Sequence, residues 1–182
     1  PMSARRQRQM CIRDRAKVSG FKIVAAGKGT KYLPQYHYST PDTVWDYYGL
    51  NKEEASSAGM NSRMFNSFLD GTKSALEMAA ISNATLLTPP PNGLQFPPVG
   101  MDHLSHTLRP KDKGGVLEFS GTVEVVSSLE RDGRPVFNDL RWGVYVVLEA
   151  ENDYAARCFK QYGMNTDNTC LLYTSPSPRD DR

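Results

Sequence analysis

Two lysines follow directly on an apolar run. Residues 21–26 (FKIVAA) lead into Gly27-Lys28-Gly29-Thr30-Lys31. An amine in that position could stabilise a developing oxyanion or exchange a proton. It would not serve a phosphate loop of the G-x-x-x-x-G-K-[ST] kind: Lys22 stands where the first glycine belongs, and Gly29 follows Lys28. In open α/β sheets the carboxyl ends of strands face the ligand crevice, which makes Lys28 and Lys31 catalytic candidates. The alternative is a pair of solvated loop lysines.

A second constellation is Asn66, Asp70, Lys73 and Glu77, spaced by four, three and four residues, which a continuous helix would align along one edge. An acid and an amine on that edge, Asp70 and Lys73, could orient a hydroxyl and move its proton, with Asn66, Gly71 and Thr72 binding the substrate beside them. Gly71 in mid-helix costs about 1 kcal/mol relative to alanine, and a close approach of ligand to backbone would account for it. The plain alternative is a solvated face whose ion pairs each contribute about 0.2–0.5 kcal/mol.

Asp102, His103 and His106 lie in MDHLSH, a D-H-x-x-H pattern, but zinc and iron need three or four converging ligands and only His37 or a distant carboxylate could complete the set. Arg109, Lys111 and Lys113 form a basic cluster suited to a phosphate or carboxylate; Arg109 is the substrate-binding candidate among them, and a solvated loop is the alternative. Cys11, Cys158 and Cys170 form no C-x-x-C pair, so neither a zinc knuckle nor a redox dithiol is indicated.

The elements that must position these groups can be read from periodicity. Residues 21–26 read as a buried strand. Thr40-Pro41-Asp42 and Asn51 each open a short helix. Residues 62–83 carry Phe65, Phe68, Leu69, Thr72 and Leu76 at three- and four-residue spacing, predicting one amphipathic helix. Residues 89–98, with five prolines, must be an irregular crossing. Residues 122–129 and 142–148 are β-branched and aromatic, and the turn signal Arg131-Asp132-Gly133-Arg134 predicts that they pair as an antiparallel hairpin. Asn152-Asp153 caps a helix over 154–162, closed by Gly163. The fold class expected is α+β: helices packed on a small antiparallel sheet.

The chain has 182 residues and a formal charge of +2, which would invite a nucleic-acid reading if the charge were spread. It is not. Residues 1–15 hold five arginines against Asp14, a net +4, and residues 170–182 sum to zero, leaving −2 for the rest. Both ends look foreign: LLYTSPSPRD (171–180) and MCIRD (10–14) resemble translations of the two strands of a transposon-derived sequencing adapter. Residues 1–15 and 170–182 are therefore expected to stand outside the packed domain. No apolar run approaches the roughly 20 residues of a spanning helix. A cytoplasmic protein that binds neither nucleic acid nor membrane is expected.

KIVAAGKGTKYLPQYHYSTPDTVWDYYG, GMNSRMFNSFLDGTKSALEMAAISNAT and VEVVSSLERDGRPVFNDLRWGVYVVLEAENDYAARCFKQYG together cover nearly the whole interior. They resemble the homoserine dehydrogenase-like oxidoreductases that carry a C-terminal SAF domain, a family that includes the deoxyxylulose-5-phosphate reductoisomerase-like (DRL) enzymes of isoprenoid biosynthesis. The resemblance implies that residues 16–30 are the last strand of a dinucleotide-binding Rossmann domain and that 31–169 form a DRL-like catalytic domain. The G-x-G-x-x-G fingerprint is absent from this sequence. The cofactor implied, NADPH or NADH, would be held mainly by the Rossmann part, and the chain alone is expected to show no nicotinamide-dependent turnover. Where homoserine dehydrogenases carry Asn-Lys after the comparable strand, this chain has Gly27-Lys28.

The expected activity is hydride transfer between NAD(P)H and a small polar carbonyl or alcohol compound, phosphorylated in the reductoisomerase case. Lys28 or Lys31 would stabilise the alkoxide while Asp70 and Lys73 orient the substrate. A reductoisomerase would also call for a divalent metal, whose ligands the sequence does not identify. The alternative is a non-catalytic assembly or dimerisation domain whose apolar hairpin pairs across a homo-oligomer.

Overall fold

The computed structural model describes residues 21–161, the backbone of 170–175, and, ahead of these, Cys11, Asp14 and Val18. Strand β1 (Lys22–Thr30) runs four residues beyond the apolar stretch. The glycines that read as breakers lie inside it because nothing larger fits. A Cβ on Gly27 would sit 1.7 Å from the Glu124 carbonyl oxygen, and one on Gly29 would sit 1.8 Å from that of Leu140.

β1 is the centre of the sheet. On one side it pairs in parallel with β2 (Thr122–Ser127), on the other antiparallel with β3 (Val144–Glu149), so Lys28 stands opposite both Val125 and Val144. β4 (Cys170–Ser175) pairs antiparallel with β3, giving the order β2-β1-β3-β4. The fold class is α+β as expected, but the sheet is mixed and the hairpin does not form. β2 and β3 lie on opposite edges of β1. The turn around Gly133 (φ +90°) closes only the short bridge between Leu129 and Pro135. A strand that enters from a hundred residues away leaves no trace in local periodicity. The strand that the resemblance implies ends a Rossmann domain stands at the centre of the described sheet.

The expectation that residues 170–182 stand outside the packed domain is not met for Cys170–Ser175, a β-prone segment that completes the open edge of β3. At the other end, Cys11, Asp14 and Val18 are exposed, and the rest of 1–15 lies outside the described residues, as does the expected helix stop at Gly163.

Between β1 and β2 come α1 (Val44–Tyr48), α2 (Lys52–Ser57), α3 (Ser62–Leu69) and α4 (Thr72–Thr85), then the short α5 (Leu104–Thr107); α6 (Asp153–Gln161) follows β3. Asn51 caps α2 through the Glu53 amide at 2.8 Å, and Asn152 accepts the Ala155 amide of α6 at 2.9 Å. α4 lays Met78 and Ile81 on Ala26, Val123, Val125 and Val146 on one face of the sheet. The other face is covered by Val99, Leu104, Leu108 and Leu117 around Ala25 and Tyr145. Among the described residues no helix is long and apolar enough to cross a membrane.

The proline-rich crossing straps the outer edge of β2. The Thr88 amide donates to the Gly121 carbonyl and the Ser127 amide to that of Pro97, both at 2.9 Å. A buried carboxylate pegs it down: Glu124 Oε1 accepts the amides of Val125 at 2.9 Å and Gln95 at 3.0 Å, with Phe96 at 3.4 Å. Burial pushes this carboxyl up to about 6 from 4.5, against the pull of those three amides.

A folded-state value above the unfolded one means that the folded protein holds the proton more tightly. The stability is therefore fully present below about 4.5 and is lost as pH rises through about 6, a change of order 2 kcal/mol. Glu124→Gln keeps an oxygen for the amides without the charge. It should flatten the difference in denaturant midpoint between pH 4.5 and 7, whereas an unchanged slope would place the proton elsewhere.

Candidate active site

The alternation of side chains along β1 sends Ala26, Lys28 and Thr30 toward the helical layer, since Gly27 and Gly29 occupy the face crossed by other backbone. Lys28 meets Glu77, on the second turn of α4, with Nζ 2.6 Å from Oε2 and both side chains only 12–14% exposed. One turn earlier on α4, Lys73 places its ammonium 3.7 Å from the centroid of the Phe68 ring. Lys31, just past the end of β1, sits 5.8 and 5.9 Å from the rings of Tyr36 and Tyr48.

A fourth cation arrives from the segment ahead of β3. Because β3 runs antiparallel to β1, its start lies beside the end of β1, and the Gly29 amide donates to the Gly143 carbonyl at 3.2 Å. Arg141 is held there by its amide on Asp139 Oδ1 at 2.7 Å and by its Nε on Ser128 Oγ at 3.2 Å.

These groups line one cavity of about 540 Å³. Its cationic side carries Lys28, Lys31, Lys73 and Arg141; its apolar side carries Tyr48, Phe65, Phe68, Leu69 and Trp142. Among the described residues Glu77 is the one carboxylate in the lining, and it is already paired with Lys28. Lys31 is held below the ordinary lysine range, first by burial and then by the neighbouring Arg141 guanidinium. Burial raises the phenols of Tyr36 and Tyr48, which therefore stay neutral beside it. Such a cavity can hold an anion with a small apolar body and place amines against it.

A family model of the catalytic domain of the oxidoreductase DRL matches residues 8–176. The chain belongs to this family. The cavity of this DRL catalytic domain, with its walls from β1, α3, α4 and the 138–143 arm, lies wholly inside the match. The match also takes in most of both end segments that resemble adapter translations. No curated protein matches the chain.

Of the residues singled out from sequence, the DRL domain brings Lys28, Lys31 and Lys73 together. Asp70, Asn66, Gly71, Thr72 and Arg109 are not in the lining. The physical reason is a break in the predicted helix: Gly71 takes φ +89°, ending α3 and starting α4 in a new direction, so the four-residue stripe is not one edge. Asp70 is consumed in that junction. Its Oδ1 accepts the Thr72 amide at 2.8 Å, its Oδ2 accepts Asn66 Nδ2 at 3.0 Å, and its carbonyl accepts His37 Nδ1 at 2.7 Å. Gly71 faces Phe96 and His37, at 3.4 and 3.5 Å from where a Cβ would stand, rather than a ligand.

Lys111 and Lys113 pair with Glu118 and Glu149, so these two amines of the basic cluster are spent on structure, and Arg109 stands outside the cavity lining. Among the described residues no three His, Cys, Asp or Glu side chains converge on a metal-sized site; Asp102 instead accepts Asn138 Nδ2 at 2.7 Å. Asp70→Ala should therefore cost about 1 kcal/mol as a lost cap. Gly71→Leu should cost about 1–2 kcal/mol because of its left-handed backbone. Urea midpoints measure both, and a Gly71→Leu variant more stable than the parent would contradict the break.

Sequence reasoning missed Arg141 and Trp142, and it took Glu77 only as part of the stripe. The available signal was Arg141-Trp142-Gly143 immediately before a strongly apolar strand. It becomes meaningful only when that strand is known to run back along β1.

Proposed function

We propose that this DRL catalytic domain serves an NAD(P)-dependent oxidoreductase whose substrate is a small polar carbonyl or alcohol compound carrying a phosphate. The observation that carries the reading is the charge of the cavity: four cations, one carboxylate, and that carboxylate bound to Lys28. Among the described residues, Lys31, Lys73 and Arg141 are thus left with their charged ends facing rings, a hydroxyl and the open cavity rather than acids. A dianionic group satisfies such a cluster better than a neutral polar one, and Arg141 presents a planar fork suited to it.

Lys28, clamped by Glu77 at the floor of the cavity, is placed to stabilise charge developing on the substrate oxygen. Lys73 and Arg141 hold the anionic end, a role the sequence suggested for the basic cluster at Arg109. When bound, the nicotinamide supplies or accepts the hydride. The apolar wall of Tyr48, Phe65, Phe68 and Trp142 suits a flat ring, so the residues present fit the reacting end of that cofactor. Its diphosphate is left to a domain of Rossmann type. The residues do not fit a divalent cation, which four positive groups and a single paired carboxylate would repel, and no step is routed through one. The assembly reading loses its support because β2 and β3 are both buried against β1 instead of forming an apolar hairpin.

The test is NADPH and NADH oxidation, followed by absorbance, by the domain together with a dinucleotide-binding domain, on phosphorylated aldehydes and ketones and their dephosphorylated counterparts. The phosphorylated compounds should be preferred by at least about 100-fold in kcat/KM. Equal rates, or turnover of neutral compounds alone, would overturn the substrate class.

A further inference from the structure

The two lysines at the end of β1 stand in different surroundings, and the difference separates two jobs. Lys28 is bonded at 2.6 Å to a carboxylate nearly as buried as itself, so losing its proton would strand Glu77 as an uncompensated charge. Lys73 lies close over the Phe68 ring, at 3.7 Å from its centroid. Lys31 has neither kind of support. Its rings are at the outer limit of a cation–π contact, and among the described residues no carboxylate pairs with it.

Resting on the reading of the cavity above, we propose that Lys31 is its proton-exchanging amine and Lys28 its fixed ammonium. The groups around Lys31 all bear on this. Lys28 comes from β1, the phenol of Tyr36 from the turn Pro34–Tyr38, and that of Tyr48 from α1. Lys73 and the already paired Glu77 come from α4, and Arg141 from the arm ahead of β3. The phenols stay neutral, and a guanidinium does not release its proton, so the net influence on Lys31 is repulsion toward the neutral amine; burial acts the same way.

In the reductive direction a bound nicotinamide would supply a hydride, with its electron pair, to the carbonyl carbon. The π pair of the carbonyl moves onto oxygen beside Lys28. The ammonium of Lys31 supplies the proton that makes this oxygen a hydroxyl, leaving a neutral amine that regains a proton from water. In the oxidative direction the neutral amine takes the hydroxyl proton as the hydride departs. An amine that stayed charged through the working pH range could do only half of this.

Trace acetylation of the intact chain by acetic anhydride across pH 6–11, read by peptide mass mapping, follows each amine separately. The reagent is uncharged, so labelling does not require that the cavity bind an anion. The rate at Lys31 should reach half-maximum at a lower pH than at Lys28, and Arg141→Gln should move that midpoint upward. A Lys31 midpoint at or above that of Lys28, or one unmoved by Arg141→Gln, would overturn the assignment. The substrate reading can fail separately, by loss of the phosphate preference with these midpoints intact. On the phosphorylated compound that supports turnover, Lys31→Arg keeps the charge but not the exchange. It should lower kcat by about 100-fold with KM near that of the parent; an unchanged kcat would likewise refute the role.

Discussion

Lys28→Met is expected to lower kcat by about 100- to 1,000-fold, the range found when one donor to a developing oxyanion is removed. The same substitution should also destabilise the domain. Glu77 is 14% exposed and would lose its ammonium, and stranding one member of a buried pair typically costs about 3–5 kcal/mol, the lower end applying where some water still reaches the group. Activity and folding can be separated by a second change. Lys28→Met combined with Glu77→Gln removes the stranded charge and should recover most of the melting temperature while leaving kcat low. Recovery of both would show that Lys28 only neutralises Glu77. Recovery of neither would mean that the pair holds α4 on the sheet in some way beyond its charge.

The second large effect is predicted at Gly29, far smaller in chemistry and equally exposed to failure. Its missing side chain leaves room for the backbone of Leu140, whose carbonyl oxygen and carbon lie 1.8 and 2.4 Å from a would-be Cβ. Backbone cannot rotate away as a side-chain tip can. Gly29→Ala must therefore displace the 138–143 arm or break the β1–β3 ladder where the Gly29 amide meets the Gly143 carbonyl. The cost should reach or exceed the roughly 3 kcal/mol upper end of ordinary overpacking. Gly59→Ala is the control. Gly59 also has an unusual backbone, φ +70°, but faces open space, so it should cost only about 1–2 kcal/mol. Denaturant melts rank the two; a Gly29→Ala variant as stable as Gly59→Ala would remove the argument that this glycine exists to seat the arm carrying Arg141.

What could be read from the chain, and what could not, divides along the range of the interactions. The caps at Asn51 and Asn152 are local, and each forms as the residue types require. The start of β1 is likewise visible in FKIVAA. Its end is not, because Gly27 and Gly29 look like breakers until the carbonyls of Glu124 and Leu140 are known to cross there. The Asp70-Gly71 break was written in the sequence as a short acid followed by glycine, a pair that caps and turns. The apolar spacing running through it on both sides hid it, since α3 and α4 are each helical.

The cavity shows the same division. Lys28 and Lys31 were reachable from their place at a strand end. Arg141 was not, because its position depends on β3 running antiparallel along a strand 120 residues earlier, and on β1 rather than β2 being its neighbour. Glu77 could be named but not paired, since its partner lies on another element and spacing alone pointed it toward Lys73.

The claim on which the rest depends is that these four cations form an anion site, and calorimetric titration of the chain with inorganic phosphate at low ionic strength tests it most directly. The account predicts a single saturable site. Arg141→Ala and Lys73→Ala should each weaken it by about tenfold or more, the loss expected when a hydrogen bond to a charged group is removed. Lys111→Ala, at an exposed amine paired with Glu118 and outside the cavity lining, should leave it unchanged. Heats that never saturate, or a site indifferent to Arg141 and Lys73, would contradict the account.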